Sequence, residues 1–215
     1  MKVTIVDMSG VFRAAWHSGA DKPVSHAFES TLKAVRGYAS NADRVVVATD
    51  IGPSFRQALS PLYKAPRATP AAQMVEQMRR CQDALELDGY AVVGVAEYEA
   101  DDVIATVTDL CRACGFEVLI HSADKDLLAL VSENVFVRST ATGRLWRPFD
   151  VSMPTKAPDK NARGLGVAPA QVRDLLALAG DTADGVPGVE GVGAETARTL
   201  LRSFVDISGI IAALD

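Results

Sequence analysis

The chain contains 215 residues, of which 48% are hydrophobic and 23% charged, and its formal net charge is −5. This composition is typical of a globular protein that buries a substantial core in one main domain. It argues against a transmembrane protein, because no apolar run reaches the roughly 18 residues that span a bilayer. The N-terminal MKVTIVDMSG does not have the pattern of a secretory signal, so we expect a cytoplasmic protein.

Five β-branched, apolar segments predict β-strands, and they lie at 2–7, 44–50, 90–96, 116–122 and 134–138. Helical periodicity is found between them, near 24–40, 71–88, 99–114 and 124–132. Because strands alternate with helices, the sequence predicts an α/β fold with a mostly parallel central sheet and helices on both faces. In such sheets ligands bind beyond the carboxyl ends of the strands.

The pattern changes after residue 138. The segment 152–163 (SMPTKAPDKNAR) has no periodicity and predicts a mobile loop, and the chain from 168 onward is helical. We therefore expect an α/β core over 1–150 and a helical region over 151–215. In the latter, GVPGVEGVG places Gly188, Gly191 and Gly193 before a helix, where backbone N–H groups can approach a phosphate. The alternative is a glycine-rich connector between two packed helices.

Acidic side chains are concentrated in a few short stretches. Nine of them follow predicted strands or lie two or three residues apart: Asp7, Asp50, Glu99, Asp101, Asp102, Asp124, Asp126, Asp181 and Asp184. Like charges this close repel each other, and a helix N-terminus offsets only part of that repulsion. Aspartate is also a favoured helix N-cap, which would explain single residues but not their doubling. We therefore expect these nine carboxylates to converge on bound cations.

The nature of the ligands predicts which cations these are. All-oxygen ligands select hard ions such as Mg²⁺, with Mn²⁺ as a substitute, and only three histidines are present to favour zinc. Nine carboxylates exceed what one Mg²⁺ uses, since that ion keeps several of its waters. They suit two ions, which can together activate a water and stabilise the leaving oxygen in the hydrolysis of a phosphodiester.

A basic segment lies between the second and third predicted strands. Residues 53–82 contain five cations and a single acidic residue, Glu76; the cations are Arg56, Lys64, Arg67, Arg79 and Arg80. Phe55 and Tyr63 lie among them. Cations beside a metal centre can hold phosphates, and an aromatic ring can stack on an unpaired base. The alternative is a solvated helix face with aromatic rings in the core.

The pair Cys111 and Cys114 has the spacing of a zinc or redox motif. It supplies only two of the four ligands of a structural zinc site. It also falls late in a predicted helix, whereas a redox pair favours the helix N-terminus. We therefore expect reduced cysteines that pack the helix.

Five blocks, in order, resemble the 5′-nuclease domain of bacterial DNA polymerase I and the flap endonucleases of phages and cells. They are VDMSGVFRAAW, ATDIGPSFRQALSPLYKAPR, EYEADDVIAT, HSADKDLLAL and LAGDTADGVPGVEGVGAETARTLL. The resemblance implies a PIN-like 5′-nuclease fold with a helical arch at about 53–98 and a C-terminal helix-hairpin-helix region. Met8 departs from the family, which usually has glycine there, and 152–163 resembles an insertion. The chain would be a stand-alone nuclease or a fragment.

The resemblance also implies a role for each of these residues. The first metal would be bound by Asp7, Asp50, Glu99, Asp101 and Asp102, and the second by Asp124, Asp126, Asp181 and Asp184. Lys64 and Arg67, at the foot of the arch, would be catalytic together with Asp124 and Asp126. DNA would be bound by Arg56, Tyr63, Lys64, Arg67, Gly188, Gly191 and Gly193, and the hairpin of this family often carries K⁺.

The implied activity is hydrolysis of DNA at 5′ flaps, nicks or 5′ ends in replication and repair. RNA–DNA hybrids are a further candidate substrate, and a DNA polymerase is the expected functional partner. A PIN-like ribonuclease and a branched-DNA-binding protein that does not cut are the alternatives. A phosphatase with a nucleophilic aspartate is disfavoured, because it needs a second aspartate where this chain has Ser9.

Overall fold

The structure is a computed structural model, and it describes residues 1–19, 23, 25–65, 67–156 and 163–214. Its central sheet has six strands in the order β3-β2-β1-β4-β5-β6. The strands are β1 (Lys2–Asp7), β2 (Arg44–Ala48), β3 (Ala91–Val93), β4 (Glu117–His121), β5 (Val135–Arg138) and β6 (Leu145–Trp146). The first five strands are parallel to one another, and β6 pairs antiparallel with β5. The predicted α/β fold with a mostly parallel sheet is confirmed.

Helices surround the sheet. They are α1 (Met8–His17), α2 (His26–Ala39), α3 (Phe55–Leu59), α4 (Ala72–Leu87), α5 (Ala100–Ala113), α6 (Pro148–Ser152), α7 (Val172–Ala179), α8 (Ala194–Phe204) and α9 (Ile207–Ala212). Short 3₁₀ helices span Asp126–Leu130 and Pro169–Gln171. Residues 157–162 of the predicted loop lie outside the described residues. Among those described, no helix is long and apolar enough to cross a membrane.

The hydrophobic core lies on both faces of the sheet, because successive strand residues point to opposite sides. Ile5 belongs to a cluster that includes Ile104 of α5 and Leu201 of α8. Its neighbour Val6 belongs to a second cluster, with Phe12 of α1 and other side chains of α2 and α4. The prediction of helices on both faces is therefore correct. With both faces covered, the carboxyl edge of the parallel strands is left to bind ligands.

Several elements differ from the sequence-based prediction. Helix α1 was not predicted, because it begins directly after β1 with no intervening turn. The predicted helix near 124–132 is a 3₁₀ helix, and β3 ends at Val93 instead of residue 96. At its end a side chain on Gly94 would collide with Ile51, since its Cβ would lie 2.5 Å from that residue. The two-residue strand β6 is too short to give a sequence signal.

The cysteines are free thiols: Cys81 is buried, Cys111 partly buried and Cys114 exposed. Cys111 packs against the core cluster on the α5 side of the sheet. Burial raises the pKa of Cys111, which favours the unreactive thiol. Cys111 and Cys114 lie at the C-terminal end of α5, which is the position predicted from the sequence.

Candidate metal centre and nucleic-acid interface

Asp7 is the last residue of β1 and also the N-cap of α1. Its carboxylate accepts hydrogen bonds from the backbone N–H of Gly10 at 2.8 Å and from the hydroxyl of Ser122 at 2.7 Å. Burial raises the pKa of Asp7, these two hydrogen bonds lower it, and the charges of Asp50 and Asp124 raise it again. A Cβ at residue 10 would lie 2.3 Å from the Asp7 carboxylate. Gly10 is thus required for this close approach.

Asp50 follows β2 and connects three elements. One carboxylate oxygen accepts from the backbone N–H of Ala100, at the start of α5, at 2.8 Å. The other pairs with Arg13 of α1 at 2.7 Å. The backbone N–H of Asp50 donates to the hydroxyl of Ser9 at 2.9 Å. The carboxyl ends of β1 and β2 are thereby held next to the N-terminus of α5.

The first turn of α5 places two adjacent carboxylates in different surroundings. Burial, followed by the charges of Asp124 and Asp7, raises the pKa of Asp101 to about 8. Asp102 instead accepts two hydrogen bonds from the guanidinium of Arg56, both at 2.7 Å. That bidentate pair lowers the pKa of Asp102, against the opposing effect of burial. Asp101 therefore belongs to the acidic cluster, and Asp102 forms its border with the basic segment.

Asp124 and Asp126 lie between β4 and the 3₁₀ helix. The backbone N–H of Asp124 donates to the Ser122 hydroxyl at 3.0 Å, and that of Asp126 donates to the Asp124 carboxylate at 2.9 Å. Burial, with the charges of Asp124 and Asp181, raises the pKa of Asp126 to about 6. One buried carboxylate oxygen of Asp126 has no hydrogen-bond partner among the described residues. Such an atom is costly unless a ligand satisfies it.

The last two carboxylates lie in the turn that follows α7. Asp181 and Val186 exchange backbone hydrogen bonds of 2.8 Å, which closes the turn. The Asp181 carboxylate accepts from the backbone N–H of Ala183 at 2.8 Å and lies 3.2 Å from the Lys125 ammonium. Burial acts to raise the pKa of Asp181, but this hydrogen bond and Lys125 together lower it. Asp184, at the other side of the turn, faces the basic segment.

The basic segment contacts this acidic cluster directly. The Lys64 ammonium donates to Glu99 at 2.5 Å, and the Tyr63 hydroxyl donates to the same carboxylate at 2.7 Å. Arg67 forms an ion pair with Asp184, whose backbone carbonyl accepts from the N–H of Lys64 at 2.9 Å. Lys64 has a φ of 55°, a conformation that non-glycine residues rarely adopt. Strained backbone of this kind is found most often at functional sites.

Gly185 makes the contact between this turn and the basic segment possible. It has a φ of 71°, and a Cβ there would lie 2.2 Å from the backbone carbonyl oxygen of Leu62. A residue with a side chain would therefore separate the two segments. Because Gly185 has no side chain, Asp184 can lie next to Lys64 and Arg67.

The structure brings the nine carboxylates to one edge of the sheet. Electrostatic coupling links Asp7 with Asp50, Asp101 and Asp124, and links Asp126 with Asp124, Asp181 and Asp184. Glu99 is coupled to Asp101, and its backbone N–H donates to the Asp102 carboxylate at 3.0 Å. Residues from five separate parts of the chain thus form one acidic cluster.

The cluster fits divalent cations by its chemistry. Within the described ranges, no three acidic, histidine or cysteine side chains are arranged to hold an ion as they stand. Four carboxylates pair instead with Arg13, Arg56, Lys64 and Arg67. The donors are nevertheless all oxygens, and one buried oxygen of Asp126 has no hydrogen-bond partner in the part of the chain that the structure describes. Burial, and after it the charges of neighbouring carboxylates, raises the pKa values of Asp101 and Asp126.

The glycines of the hairpin differ in what they do. Gly188 has a φ of 71°, and its Cβ would lie 2.5 Å from the backbone nitrogen of Gly180, so internal packing requires it. Gly191 and Gly193 have open space around the position of a Cβ. Gly193 is the N-cap of the eleven-residue helix α8. Only the latter two glycines therefore present backbone that a phosphate could approach freely.

Two of the predicted cations lie elsewhere. Arg79 pairs with Glu76 and Asp83 along the exposed face of α4, and the Arg80 guanidinium lies 5.7 Å from the ring centroid of Phe28. Helix α4 buries Met74, Cys81 and Leu85 in the core. For Arg79 the alternative, a solvated helix face, is correct.

Four residues around the cluster were not predicted: Ser9, Arg13, Ser122 and Lys125. Ser122 contacts both Asp7 and Asp124, and Ser9 contacts Asp50. Their positions within two residues of a predicted carboxylate were an available signal. Arg13 had no such signal, since it requires knowledge that α1 follows Asp7 directly.

Comparisons with known proteins agree with this geometry. Residues 2–153 match the family model of the 5′-3′ exonuclease N-terminal resolvase-like domain, and 167–215 match that of the 5′-3′ exonuclease C-terminal SAM fold. A 5′-3′ exonuclease of Aquifex aeolicus is 38% identical over 149 residues, which cover 69% of this chain and 48% of the relative. DNA polymerase I of Treponema pallidum is 31% identical, over 96% of this chain and 21% of the relative. The chain thus spans about half the length of the first relative and about a fifth of the second.

Among solved structures, a bacteriophage T5 flap endonuclease in a pseudo-enzyme–product complex with DNA and metal ions aligns with a TM-score of 0.79. It is 26% identical, and the alignment covers 99% of this chain and 78% of the phage protein. The catalytic core of Rad2 in complex with DNA aligns with a TM-score of 0.58 at 15% identity, which shows a shared fold alone.

Proposed function

Because this chain belongs to the 5′-3′ exonuclease family, we propose that it is a structure-specific 5′-nuclease that hydrolyses DNA phosphodiester bonds with two divalent metal ions. It would act both as a flap endonuclease and as a 5′-3′ exonuclease. One observation carries this proposal: carboxylates from five parts of the chain lie at the carboxyl edge of the sheet, next to cations from the segment that contains Lys64 and Arg67.

The all-oxygen ligands of the cluster support Mg²⁺ as the ion, with Mn²⁺ as a substitute. The first ion would be held by Asp7, Asp50, Glu99, Asp101 and Asp102. The second would be held by Asp124, Asp126, Asp181 and Asp184. When bound, such a pair of ions supplies an activated water, a clamp on the scissile phosphate and stabilisation of the leaving oxygen.

The side chains of the protein position the substrate. Lys64 and Arg67 pair with Glu99 and Asp184, and these ion pairs hold both cations at the edge of the cluster. With the carboxylates neutralised by bound metal ions, the side chains of Lys64 and Arg67 could turn to the phosphate that is being cut. Arg56 forms two hydrogen bonds with Asp102, which place its guanidinium beside the first turn of α5.

The DNA would be gripped at two places. Arg56, Tyr63, Lys64 and Arg67 would contact the 5′ strand, and the backbone near Gly191 and Gly193 would bind a duplex phosphate, which reads no sequence. Gly188 would support that hairpin from inside, and K⁺ is a candidate ion there. The expected substrates are 5′ flaps, nicks and 5′ ends, with RNA–DNA hybrids as a further candidate. The relatives named DNA polymerase I support pairing with a polymerase in replication and repair.

The test is cleavage of matched, end-labelled substrates by the full chain. The panel contains a 5′-flap, a nicked duplex, a single strand and an RNA–DNA hybrid, each with Mg²⁺ and then with EDTA. We expect Mg²⁺-dependent cleavage at the flap junction and none with EDTA. Cleavage of RNA alone would favour the ribonuclease alternative, and binding without any cleavage would favour a branched-DNA-binding protein.

A further inference from the structure

A small apolar pocket lies beside the acidic cluster, between α5 and the edge of the sheet at β3. Its volume is about 220 Å³. It is lined mainly by side chains from the end of β3, the following turn and α5: Val93, Val95, Tyr98, Val103 and Val107. Asp102 also lines it, so the pocket adjoins the candidate metal centre. None of the roles proposed above uses this pocket.

The turn that forms one wall of the pocket is held in a strained conformation. Glu97 has a φ of 68°, and its carbonyl accepts a hydrogen bond from the backbone N–H of Phe55 at 2.8 Å. The next residue, Tyr98, has its ring centroid 5.4 Å from that of Phe55. Strain of this kind persists where the surroundings fix it, and it is concentrated at binding and catalytic sites. Here the strained turn holds the ring of Tyr98 at the edge of an apolar pocket. Tyr98 is 47% exposed.

Two of the lining residues contact an aromatic ring and a guanidinium: Tyr98 lies against Phe55, and Asp102 pairs with Arg56. The Arg56 guanidinium carbon lies 4.7 Å from the Phe55 ring centroid and its nitrogens pair with Asp102. Nucleobases stack on such surfaces, because every base has a π-face that rings and guanidinium planes can cover. The lining offers few groups to read a base edge. The Asp102 carboxylate is engaged by Arg56, and the Thr106 hydroxyl donates to the backbone carbonyl of Asp102 at 2.8 Å.

We propose that this pocket binds one unpaired nucleobase of the DNA strand being cut, by stacking and apolar contact and without regard to its identity. The inference rests on the proposed nuclease function. Pockets for whole small molecules begin at about 300 Å³, so this one suits a single ring system. An apolar side chain of a partner protein would have a similar size. The base is favoured because Asp102, a residue of the candidate metal centre, lines the pocket and pairs with Arg56.

The experiment removes single bases from the substrate and fills or trims the pocket in the protein. Flap substrates carry one abasic nucleotide at each position within three of the cleaved bond, and kcat/KM is measured with Mg²⁺. Two variants alter the pocket: Val107→Trp fills it, and Tyr98→Ala removes its exposed ring. Leu110→Trp is the matched control, since Leu110 lies on the same helix, is 64% exposed and is not part of the lining. Circular dichroism verifies that each variant folds.

We expect one abasic position to lower kcat/KM of the unaltered protein and the control about tenfold, within the range that a stacked base contributes. In Tyr98→Ala and in Val107→Trp, the same abasic position should lower kcat/KM less than threefold, because the binding pocket is already lost. Exchanging the four bases at that position should change kcat/KM less than threefold. Equal abasic effects in all proteins, or none anywhere, would overturn the inference and leave the pocket to a different partner. Flap cleavage by the unaltered protein would still stand as support for the nuclease function.

Discussion

Asp126 has the most informative surroundings of the nine carboxylates. One of its oxygens is buried without a hydrogen-bond partner in the described part of the chain. Burial, followed by the charges of Asp124 and Asp181, raises the pKa of Asp126 to about 6. A buried carboxylate oxygen without a hydrogen-bond partner destabilises the fold unless a ligand binds to it. Lys64 is a cation in the same acidic cluster: its backbone has a positive φ, and its ammonium pairs with Glu99.

Asp126→Asn should lower the rate of flap cleavage at least a hundredfold while changing flap affinity less than threefold. The amide is neutral and cannot hold a divalent ion as a carboxylate does, whereas the proposed DNA contacts lie in other segments. Single-turnover cleavage and fluorescence anisotropy measure the two effects. Asp109→Asn, on the exposed face of α5, is the control and should be unaffected. Normal cleavage by the Asp126 variant would remove this residue from the metal centre.

Lys64→Ala should slow single-turnover cleavage more than it weakens binding of the duplex. The ammonium reaches Glu99 within the cluster, where it can act on the reacting phosphate, while the duplex is gripped elsewhere. Arg79→Ala is the comparison, because Arg79 pairs only with residues of its own helix in the contacts described. If the two variants cleave equally well, Lys64 has no part in the reaction.

At the scale of elements, the turn after α7 and the turn that contains Lys64 form one unit. The N–H of Lys64 donates to the carbonyl of Asp184, and the glycine at 185 allows Leu62 to come close. Asp181 and Asp184 are therefore positioned by the basic segment as well as by helix α7, which precedes their turn. This contact joins residues far apart in the sequence.

Gly185→Ala should disturb this unit. The added methyl would lie 2.2 Å from the Leu62 carbonyl oxygen, and the φ of 71° is unfavourable for alanine. We expect a loss of about 1–3 kcal/mol in the free energy of unfolding and a slower cleavage rate. Gly191→Ala, which has the same sign of φ but open space, should cost less. Urea unfolding compares the two, and equal losses would show that the contact with Leu62 does not matter.

The elements that could be predicted are those with a local signal. Strands β1, β2, β4 and β5 are β-branched runs, and α2, α4 and α5 have clear periodicity. Helix α1 could not be separated from β1, because Asp7 ends one and caps the other. Asp7, Asp50 and Asp124 could be placed at one edge because they end or follow β1, β2 and β4, whereas Asp181 and Asp184 follow helix α7. The pairing of Arg13 with Asp50 depends on packing between distant segments, which leaves no pattern in a single sequence.

At the scale of the whole molecule, one sheet edge collects the charge while the interior of the fold stays largely apolar. His121 is an exception near that edge: it is 4% exposed, and both ring nitrogens lack a hydrogen-bond partner among the described residues. Its ring stacks on Tyr38 with centroids 4.1 Å apart. Burial, and then the charge of Arg138, lowers the pKa of His121 to about 4.

This lowered pKa predicts a contribution of His121 to the pH dependence of stability. The unfolded chain takes up a proton on His121 below its ordinary pKa of 6.5, and the folded protein does so only near 4. The contribution of His121 is therefore fully present above pH 6.5 and is lost as the pH falls toward 4. His121→Phe, which keeps a ring against Tyr38, should lose less stability between pH 6.5 and 4.5 than the unaltered protein. Urea unfolding at several pH values measures this, and parallel curves for the two proteins would contradict it.

In the proposed metal centre, carboxylates from separate segments would hold two divalent ions at one edge of the sheet. Anomalous diffraction from crystals of the protein soaked in Mn²⁺ measures this most directly. We expect two manganese peaks roughly 4 Å apart, one bound by residues that include Asp7 and Asp101 and one by residues that include Asp126 and Asp181. No peak among these carboxylates, or peaks only elsewhere on the surface, would contradict the account.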